Sequence, residues 1–499
     1  MTDVGTLDTV VQRFASAFSI PGVAVAVVRP DAEPLILCHG TRTLGDAGRV
    51  DADTSFAIAS NSKAFLAACL AMLVDDGKIG WDDPVRRHLP EFRMFDEHAT
   101  ALMTVRDLLV HRSGLPLGAA DLMQVRPGRF TPSDVLRALQ YFKPAAGFRA
   151  TYAYDNCLYI VAGILLERVS GLDWNAFLAR RVFAPLGMNV AVGSPTLVTT
   201  DNRAGRHARL GPPVIGLGPV ERIVADETDL NGPAGGIQAS AAEMTLWIGV
   251  QLARGRLPQG ERLWSEAQAT EMWTPQTIIS SGPGPTPDAP QRSVMEGYAL
   301  GWGVAQFRGQ RMLTHGGQVA GQVSRVAILP DAGIGLAILT NSAEGDAVSA
   351  LRYAILDLLL DQHGFDWLDA ARRHAAAVAE RVEAALTKEA HAPAQPSLSL
   401  PLSGYAGRYR DPWYGDVVVE VCEGGLHIAF EPTPSFTGAL EPIGTELFRT
   451  RFARGAGEDA AVQFVVRDGR VTAMTMRALS PLADFSFDFH DLALVPVQG

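Results

Sequence analysis

Residues 56–73, FAIASNSKAFLAACLAML, place Ser60 and Lys63 three positions apart at the start of an apolar run. The run predicts a helix that starts at Ser60 and ends near Gly77, because apolar side chains recur at helical spacing: Phe65, Leu66, Cys69, Leu70 and Leu73. Residues i and i+3 share a helix face, so the Lys63 amine can approach the Ser60 hydroxyl. A serine hydroxyl is a poor nucleophile until a neighbouring base takes its proton. The pair fits a nucleophile with its proton partner, and a chance spacing is the alternative.

The position of Ser60 and the scarcity of lysine both favour chemistry at this pair. The extended stretch TSFAIAS, residues 54–60, precedes the helix, so we expect Ser60 in the first helical turn. Unpaired N–H groups and the positive end of the helix dipole would stabilise an alkoxide or oxyanion there. Four of the 43 basic residues are lysine, which leaves 43 − 4 = 39 arginines. Arginine cannot lose its proton in a protein, so a proton-transfer position requires lysine.

A second polar motif, TYAYDNCLY at residues 151–159, holds Tyr154 and Asn156 just before an apolar helical stretch. Buried tyrosines commonly hydrogen-bond their hydroxyl, so a structural role is the simpler interpretation of Tyr154 alone. Beside an ammonium, however, a phenol can become a proton acceptor. Asn156 could fix Lys63 and also donate to a substrate carbonyl.

The third motif is LTHGGQ at residues 313–318, on a predicted strand. A lone histidine on a strand is usually structural, but His315 is followed at once by Gly316, Gly317 and then Gln318. Glycine weakens a strand and often marks the close approach of a ligand or another backbone. The motif therefore predicts a strand edge that a ligand or a neighbouring segment approaches closely.

Strand patterns flank a mostly helical middle. GVAVAVVR at residues 22–29 and PLILCHG at residues 34–40 predict a β-hairpin near the N-terminus. Four strand-like stretches between residues 298 and 342 are spaced as an antiparallel meander, and a helix follows at residues 346–364. The predicted fold class is α/β (α+β), an antiparallel sheet flanked by helices with a mostly helical subdomain.

A second, smaller domain is predicted at the C-terminus. Residues 1–385 would form the first domain, and residues 386–402, with the Pro-, Ala- and Ser-rich EAHAPAQPSLSLPL, would form a linker. Residues 403–499 change to short strands divided by turn signals, which is typical of a small β-barrel or sandwich. This domain could shape the cleft, mediate assembly or only stabilise the chain.

Composition disfavours several classes of partner. The net charge of the 499 residues is 43 − 54 = −11 with no basic block, which argues against nucleic acid and anionic membranes. No apolar run approaches the about 18 residues of a membrane span, and the acidic start MTDVGTLDTVVQRF lacks a basic n-region. We therefore expect a soluble, cytoplasmic protein. The cysteines are expected to be buried apolar thiols, not metal ligands: Cys38, Cys69, Cys157 and Cys422.

Together the three motifs resemble the serine β-lactamase and penicillin-binding-protein superfamily, in particular its class C-like, CubicO-type hydrolases, esterases and D-aminopeptidases. The resemblance rests on S-x-x-K at SNSK, Y-x-N at YDN and H-x-G at HGG, in that order, with about 90 and about 160 residues between them. It covers residues from about 10 to 365, where TVRDLLVHRSGLP and NGPAGGIQASAAEM are similar as well. The C-terminal domain resembles the lipocalin-like extension of some members.

The resemblance implies a β-lactamase-like fold and an acyl-enzyme mechanism without a metal or an organic cofactor. Ser60 would be the acylated nucleophile, Lys63 its proton partner, and Tyr154 the general acid and base. Asn156 would orient Lys63 and the acyl side of the substrate. The oxyanion hole would use the backbone N–H groups of Ser60 and Gln318, aimed where negative charge develops.

His315 departs from the β-lactamases proper, many of which carry lysine there. A histidine with a pKa near 6.5 is mostly neutral at pH 7, so it supplies no fixed cation for a substrate carboxylate. If His315 must be neutral, acylation should fall below about pH 6.5. The departure favours amide, peptide or ester substrates over β-lactams.

The predicted function is therefore a serine hydrolase acting on a small molecule or short peptide, as an amidase, D-aminopeptidase or esterase. A β-lactamase or carboxylesterase of the same fold is the alternative, and a penicillin-binding or sensor protein without turnover is weaker because the constellation is undamaged. The chain has no G-x-S-x-G elbow and no H-E-x-x-H, which argues against an α/β-hydrolase and a zinc hydrolase. The sequence leaves substrate identity and a homo-oligomer open.

Overall fold

The main sheet brings both ends of the first domain together. The computed structural model describes residues 4–125, 127–224, 228–390, 396–422 and 424–497. Eight antiparallel strands, β1 to β8 in chain order, form this sheet: Gly22–Val28, Leu35–Gly40, Thr277–Ser281, Met295–Tyr298, Gly303–Phe307, Gln310–Val319, Gln322–Leu329 and Ile334–Thr340. Their order is β2-β1-β8-β7-β6-β5-β4-β3. The predicted hairpin and meander are thus confirmed, and β1 joins them by pairing with β8.

Helices cover both faces of the sheet because its central strands are apolar on both sides. Alternate side chains of β1 enter two different cores, Val23, Val25 and Val27 in one and Ala24, Ala26 and Val28 in the other. Three helices pack around the first core: Val4–Ala17, Gly345–Leu359 and Trp367–Ala390. The Ala241–Leu252 helix covers β1 and β8 on the opposite face.

A mostly helical subdomain lies on that opposite face, as predicted. Besides Ala241–Leu252, its helices are Ser62–Asp75, Val85–His88, Glu97–Leu102, Pro132–Ala138, Cys157–Ser170, Trp174–Leu178, Ala184–Leu186 and Glu266–Met272. Two short ribbons accompany them, Phe56–Ala57 with Gln238–Ala239 and Arg206–Arg209 with Val220–Ile223. The first ribbon fixes the segment that leads into the Ser62–Asp75 helix.

The C-terminal region is a nearly closed eight-strand barrel. Its strands, β9 to β16, are Gly407–Asp411, Gly415–Cys422, Gly425–Phe430, Thr437–Gly444, Leu447–Phe452, Ala460–Arg467, Arg470–Ala478 and Val495–Pro496. The order is β15-β14-β13-β12-β11-β10-β9-β16. The Met474 N–H of β15 donates to the backbone oxygen of Leu494 at 2.9 Å, just before β16. The predicted small β-barrel is therefore confirmed.

The barrel packs against the helical subdomain through aromatic pairs. The ring centroids of Phe142 and Trp413 are 4.7 Å apart, and those of Phe130 and Tyr414 are 5.2 Å apart. Buried apolar residues of both domains form one continuous cluster. This contact brings part of the barrel domain close to the residues discussed below.

The region predicted as a linker makes contacts of its own. The Trp367–Ala390 helix runs into its first residues, and residues 391–395 lie outside the described residues. Ser397 pairs with Thr445 of the barrel domain. Leu398, Leu400 and Leu402 are partly buried against the apolar cluster. Residues 397–402 of this region therefore lie against the barrel, and the domain boundaries stay a prediction.

Candidate active site

Ser60 and Lys63 lie where a short 3₁₀ turn, Ala59–Asn61, leads into the Ser62–Asp75 helix. Ser60 thus stands just before the α-helix, in a tighter turn than the predicted first α-helical turn. Lys63 Nζ lies 3.1 Å from Ser60 Oγ, within hydrogen-bond distance. Nearly the whole helix is buried, because it is apolar on all sides, and Lys63 is 0% exposed.

Three acceptors surround the Lys63 amine. Besides Ser60 Oγ, it donates to Asn156 Oδ1 at 2.6 Å and to the backbone oxygen of Ala234 at 2.8 Å. Ala234 belongs to the π-helical turn Gly232–Gly236, which lies within the NGPAGG stretch of the sequence, residues 231–236. An ammonium has three N–H donors, so each of them finds a partner.

Burial shifts the protonation of Lys63. It lowers the Lys63 pKa to about 7, although the carboxylates of Asp121 and Asp155 act in the opposite direction. When the amine is neutral, its lone pair can accept the proton of the Ser60 hydroxyl. Lys63 is therefore suited to exchange a proton near neutral pH.

Tyr154 meets the same serine oxygen. Its hydroxyl donates to Ser60 Oγ at 3.0 Å, and Lys63 Nζ lies 4.8 Å from the centroid of its ring. Burial raises the Tyr154 pKa well above the ordinary value of a phenol. Tyr154 is thus an uncharged phenol at neutral pH that can donate a proton, whereas the neutral Lys63 amine can accept one.

His315 is held in one neutral tautomer. Its Nε2 lies 2.8 Å from the Tyr298 hydroxyl, and its Nδ1 lies 2.7 Å from the backbone oxygen of Gly316. A carbonyl can only accept, so Nδ1 carries the proton and Nε2 accepts from Tyr298. Burial lowers the His315 pKa to about 3, and the charge of Lys63 adds to this. The expectation that the His315 pKa lies near 6.5 is therefore wrong, and of these two groups it is Lys63 that titrates near neutral pH.

The glycines after His315 allow a close backbone contact. A Cβ atom on Gly317 would lie 2.2 Å from the backbone oxygen of Ile58 and 3.0 Å from Ala59 Cβ. Only glycine lets β6 pass this close to the segment that carries Ser60. Gln318 follows on the exposed side of the same strand. The strand edge is thus adjacent to Ser60, as the motif predicted for a neighbouring segment.

Asp121 is a site residue that the sequence patterns miss. Its two oxygens accept from Asn156 Nδ2 at 3.1 and 3.0 Å, and Oδ1 also accepts from Gln124 Nε2 at 2.6 Å. Burial raises the Asp121 pKa to about 7, although its hydrogen-bond donors and Lys63 lower it. The sequence signal that could have identified Asp121 is its position as an acidic residue inside the apolar stretch AADLM, residues 119–123.

His111 is a second buried residue beside Tyr154 that the sequence patterns do not identify. The centroid of the His111 ring lies 4.3 Å from that of Tyr154 and 4.5 Å from that of Tyr298. The backbone N–H of Asp155 donates to His111 Nδ1 at 3.2 Å, and both side chains are fully buried. Burial lowers the His111 pKa, so this ring is a neutral support for Tyr154.

Backbone strain marks the same place. Ala59, His111 and Ala120 have φ angles of 49°, 54° and 65°, a region that residues other than glycine seldom adopt. Ala59 precedes Ser60, and Ala120 precedes Asp121. Such strain persists where the surrounding packing enforces it, often at functional sites.

Metal ligands and membrane spans are not features of the described residues. Among them, no group of three or more His, Cys, Asp or Glu side chains could hold a metal ion. None of the described helices has the length and apolar character needed to cross a bilayer. Cys69 and Cys157 are buried as expected, but Cys38 is half-buried and Cys422 is exposed. The expectation was wrong for Cys422 because it ends β10 at the tip of a hairpin.

Comparison with known proteins gives two family matches. The family model described as Beta-lactamase matches residues 7–360. A second model, described as Domain of unknown function (DUF3471), matches residues 391–496. The first match spans well over half of the chain.

Relatives and solved structures agree with these matches. The chain is 27% identical over 464 residues to the Unguisins hydrolase ungD of Aspergillus violaceofuscus (strain CBS 115571), covering 85% of this chain and 78% of that protein. The octameric penicillin-binding protein homologue from Pyrococcus abyssi has a TM-score of 0.61 at 21% identity and covers 96% of this chain and 98% of its own. The D-amino acid amidase from Ochrobactrum anthropi SV3 has a TM-score of 0.57 at 23% identity, with coverage of 71% and 98%. The two structures share the fold.

Proposed function

The chain belongs to the Beta-lactamase family, and from this premise we propose that it is a serine hydrolase that forms an acyl-enzyme on Ser60. One observation carries the proposal: Lys63 Nζ and the Tyr154 hydroxyl both contact Ser60 Oγ, at 3.1 and 3.0 Å, in a buried cluster. A base and an acid on one nucleophile are what acyl transfer requires.

Acylation begins with Lys63 in its neutral form. The Lys63 amine accepts the Ser60 proton as Ser60 Oγ attacks the substrate carbonyl carbon, and the carbonyl oxygen becomes an oxyanion. The lowered pKa of Lys63, about 7, supports this role because a useful base titrates near the working pH. Asn156 Oδ1 then stabilises the ammonium that forms.

Collapse of the tetrahedral intermediate needs a proton for the leaving group. Tyr154, kept as a phenol by burial, donates its hydroxyl proton to the leaving nitrogen or oxygen. The proton held on Lys63 then replaces the one that Tyr154 lost. Water attacks the acyl-enzyme in the second half of the reaction, with the same groups working in reverse.

The backbone N–H groups of Ser60 and Gln318 form the oxyanion hole in this proposal. The support is the close contact that Gly317 allows between β6 and the segment before Ser60. Two backbone donors aimed at the developing charge stabilise the transition state more than the ground state. His315, neutral and bonded to Tyr298, holds the end of this strand in place.

Amides and short peptides are our first substrate class, with carboxylic esters second. The name of one similar protein, an unguisins hydrolase, supports a hydrolase, and the name of another, a D-amino acid amidase, supports action on amide bonds. A neutral His315 in place of a fixed cation disfavours substrates with a carboxylate at that point, including β-lactams. A β-lactamase or carboxylesterase of the same fold is the alternative.

The finer family assignment is also proposed. The order of the three motifs supports a CubicO-type member, and the nearly closed barrel supports a lipocalin-like C-terminal domain. We retain residues 1–385, 386–402 and 403–499 as catalytic domain, linker and barrel domain. The octameric Pyrococcus relative makes a homo-oligomer worth measuring by light scattering.

The experiment is a panel of D-amino acid amides, p-nitrophenyl esters and nitrocefin, with intact-mass detection of the acylated protein. Ser60→Ala should abolish turnover and labelling, because it removes the hydroxyl that is proposed to be acylated. Ser435→Ala, which changes a serine of the barrel domain, is the matched control and should behave as wild type. Labelling that persists in Ser60→Ala would refute the nucleophile, and a burst without turnover in the wild type would favour a sensor.

A further inference from the structure

The barrel domain reaches the catalytic cluster through the segment between β15 and β16. Within this segment, the Ser486 hydroxyl donates to Asp121 Oδ2 at 2.9 Å. Two residues on, Asp488 Oδ1 accepts the backbone N–H of Leu122 at 2.8 Å, and Asp488 is fully buried. The turn that carries Asp121 is therefore held from the C-terminal domain at two points.

Phe485 of the same segment lies next to Tyr154. The two ring centroids are 5.8 Å apart in an edge-on arrangement. A Cβ atom on Gly118 would lie 2.9 Å from both Phe485 Cδ2 and the Phe485 backbone oxygen, so the segment packs directly on Gly118. The Gly118 N–H in turn donates to the Tyr154 backbone oxygen at 2.8 Å. The contact is thus tight on the side of the catalytic domain.

We propose that Ser486 is a positioning residue of the active site, acting through Asp121 and Asn156 on Lys63, so that the barrel domain completes the catalytic cluster. The hydrogen bonds form an unbroken path: Ser486 donates to Asp121, which accepts from Asn156, which accepts from Lys63. The inference rests on the proposed function, because Lys63 is taken as the base.

The path works by fixing the direction of the Asn156 amide. A carboxylate can only accept, so Asp121 requires the NH₂ end of Asn156 and leaves its oxygen for Lys63. If the Asn156 amide were turned by 180°, its NH₂ group would face the Lys63 ammonium. Both groups are donors, so the hydrogen bond between them would be lost. Ser486 keeps the Asp121 carboxylate in the orientation that prevents this.

Ser486 also bears on the charge near Lys63. Its hydrogen bond lowers the Asp121 pKa, so losing it leaves Asp121 protonated over a wider pH range. Less negative charge near Lys63 then lowers the Lys63 pKa further, and the acid limb of acylation moves to lower pH. The titratable groups that face Asp121 are Lys63, Tyr154, Asp155, Cys157 and Asp488.

The test is the pH dependence of acylation by p-nitrophenyl acetate in the full chain. Ser486→Ala should lower the acylation rate about tenfold, the size of one hydrogen bond to a charged group, and move the acid limb to lower pH. Ser486→Thr keeps the hydroxyl and should restore both, while Ser435→Ala should change neither. A wild-type rate and acid limb in Ser486→Ala overturns the proposal, as does an equal loss at every pH that threonine does not restore.

A double-mutant cycle tests the route through Asp121. In an Asp121→Ala background, Ser486→Ala should cost no further rate, because the acceptor of its hydrogen bond is already absent. Additive losses contradict action through Asp121. The same cycle measured on melting temperature does not depend on Ser60 chemistry. If Ser60→Ala keeps its label, the proposed function fails, while the coupling in melting temperature still decides whether Ser486 holds Asp121.

Discussion

Asp121 in the catalytic cluster and Asp416 on the barrel are both aspartates with cations nearby, and their carboxyl pKa values move in opposite directions. Hydrogen bonds from Arg410 and Arg408 lower the Asp416 pKa to about 2. Burial raises the Asp121 pKa to about 7, in spite of Lys63 and several donors. The exposure of the cations explains part of the difference between the two pKa shifts: Arg408 and Arg410 reach solvent, whereas Lys63 is buried with Asp121.

The difference shows what burial of a whole cluster does. When both members of a pair leave water, each charged form costs free energy, and the attraction between them offsets only part of it. Lys63 and Asp121 are thereby moved from opposite directions to a pKa of about 7. At Asp416 the charges stay in place at all moderate pH values. The cluster around Lys63 and Asp121 can therefore exchange protons near neutral pH, whereas the arginine–aspartate cluster at Asp416 stays charged and links barrel strands.

Lys63→Arg keeps a cation beside Asp121 and Asn156, but the guanidinium cannot lose its proton. If Lys63 is the base that we propose, its loss should lower the acylation rate about 10²- to 10⁴-fold. Lys78→Arg makes the same substitution at an exposed position and should leave the rate unchanged. The measurement is single-turnover acylation at pH 7 with circular dichroism to confirm folding. Near wild-type acylation by Lys63→Arg would mean that the shifted pKa is not used.

The pH dependence of the free energy of unfolding should have opposite signs for Asp121 and Asp416. Because the folded-state pKa of Asp121 lies above its ordinary 3.8, the native state binds more protons, and this contribution to stability falls as pH rises from about 3.8 to 7. Asp416 has the opposite sign, since its contribution is present above about 3.8 and is lost as pH falls towards 2.

Melting temperatures of Asp121→Asn and Asp416→Asn relative to wild type should therefore follow different pH courses. The difference for Asp121→Asn should become more favourable by a few degrees between pH 5 and pH 7, at about 1–2 °C per kcal/mol for a chain of this length. The difference for Asp416→Asn should stay constant over that range. Parallel courses for the two variants would show that burial does not separate the two carboxyl groups.

Local spacing made the first part of the site predictable. Ser60 and Lys63 share one helical segment, so their contact follows from the i to i+3 relation and needs no knowledge of the rest of the fold. The barrel strands were equally visible, because turn signals divide them in the sequence. The 3₁₀ turn at Ser60 was missed, since its tightening depends on β6 packing against Ile58 through Gly317.

The rest of the site depends on packing between distant segments. Ser486 and Asp121 are 365 residues apart and meet only because the barrel rests on the helical subdomain. Neither segment has a sequence pattern that predicts this contact. The pKa values of Lys63 and Asp121 were unpredictable for the same reason, since they follow from burial by surrounding elements.

Phe485 offers the smallest and most selective test of how far the barrel enters the site. Its side chain is 39% exposed beside Tyr154, a position in which an apolar ring would contact the acyl side chain of a substrate. Phe485→Ala should raise KM about three- to tenfold for substrates with large apolar side chains, the scale of a partly lost apolar contact, and change kcat less than twofold. Val421→Ala, which trims another exposed apolar residue of the barrel domain, should leave both constants unchanged.

If Phe485→Ala instead lowers kcat equally for all substrates, the ring supports Tyr154 and does not bind substrate. Because Ser486→Ala is expected to act on the acid limb and Phe485→Ala on KM, the two adjacent residues separate the electrostatic contribution of the barrel from its contribution to the shape of the cleft.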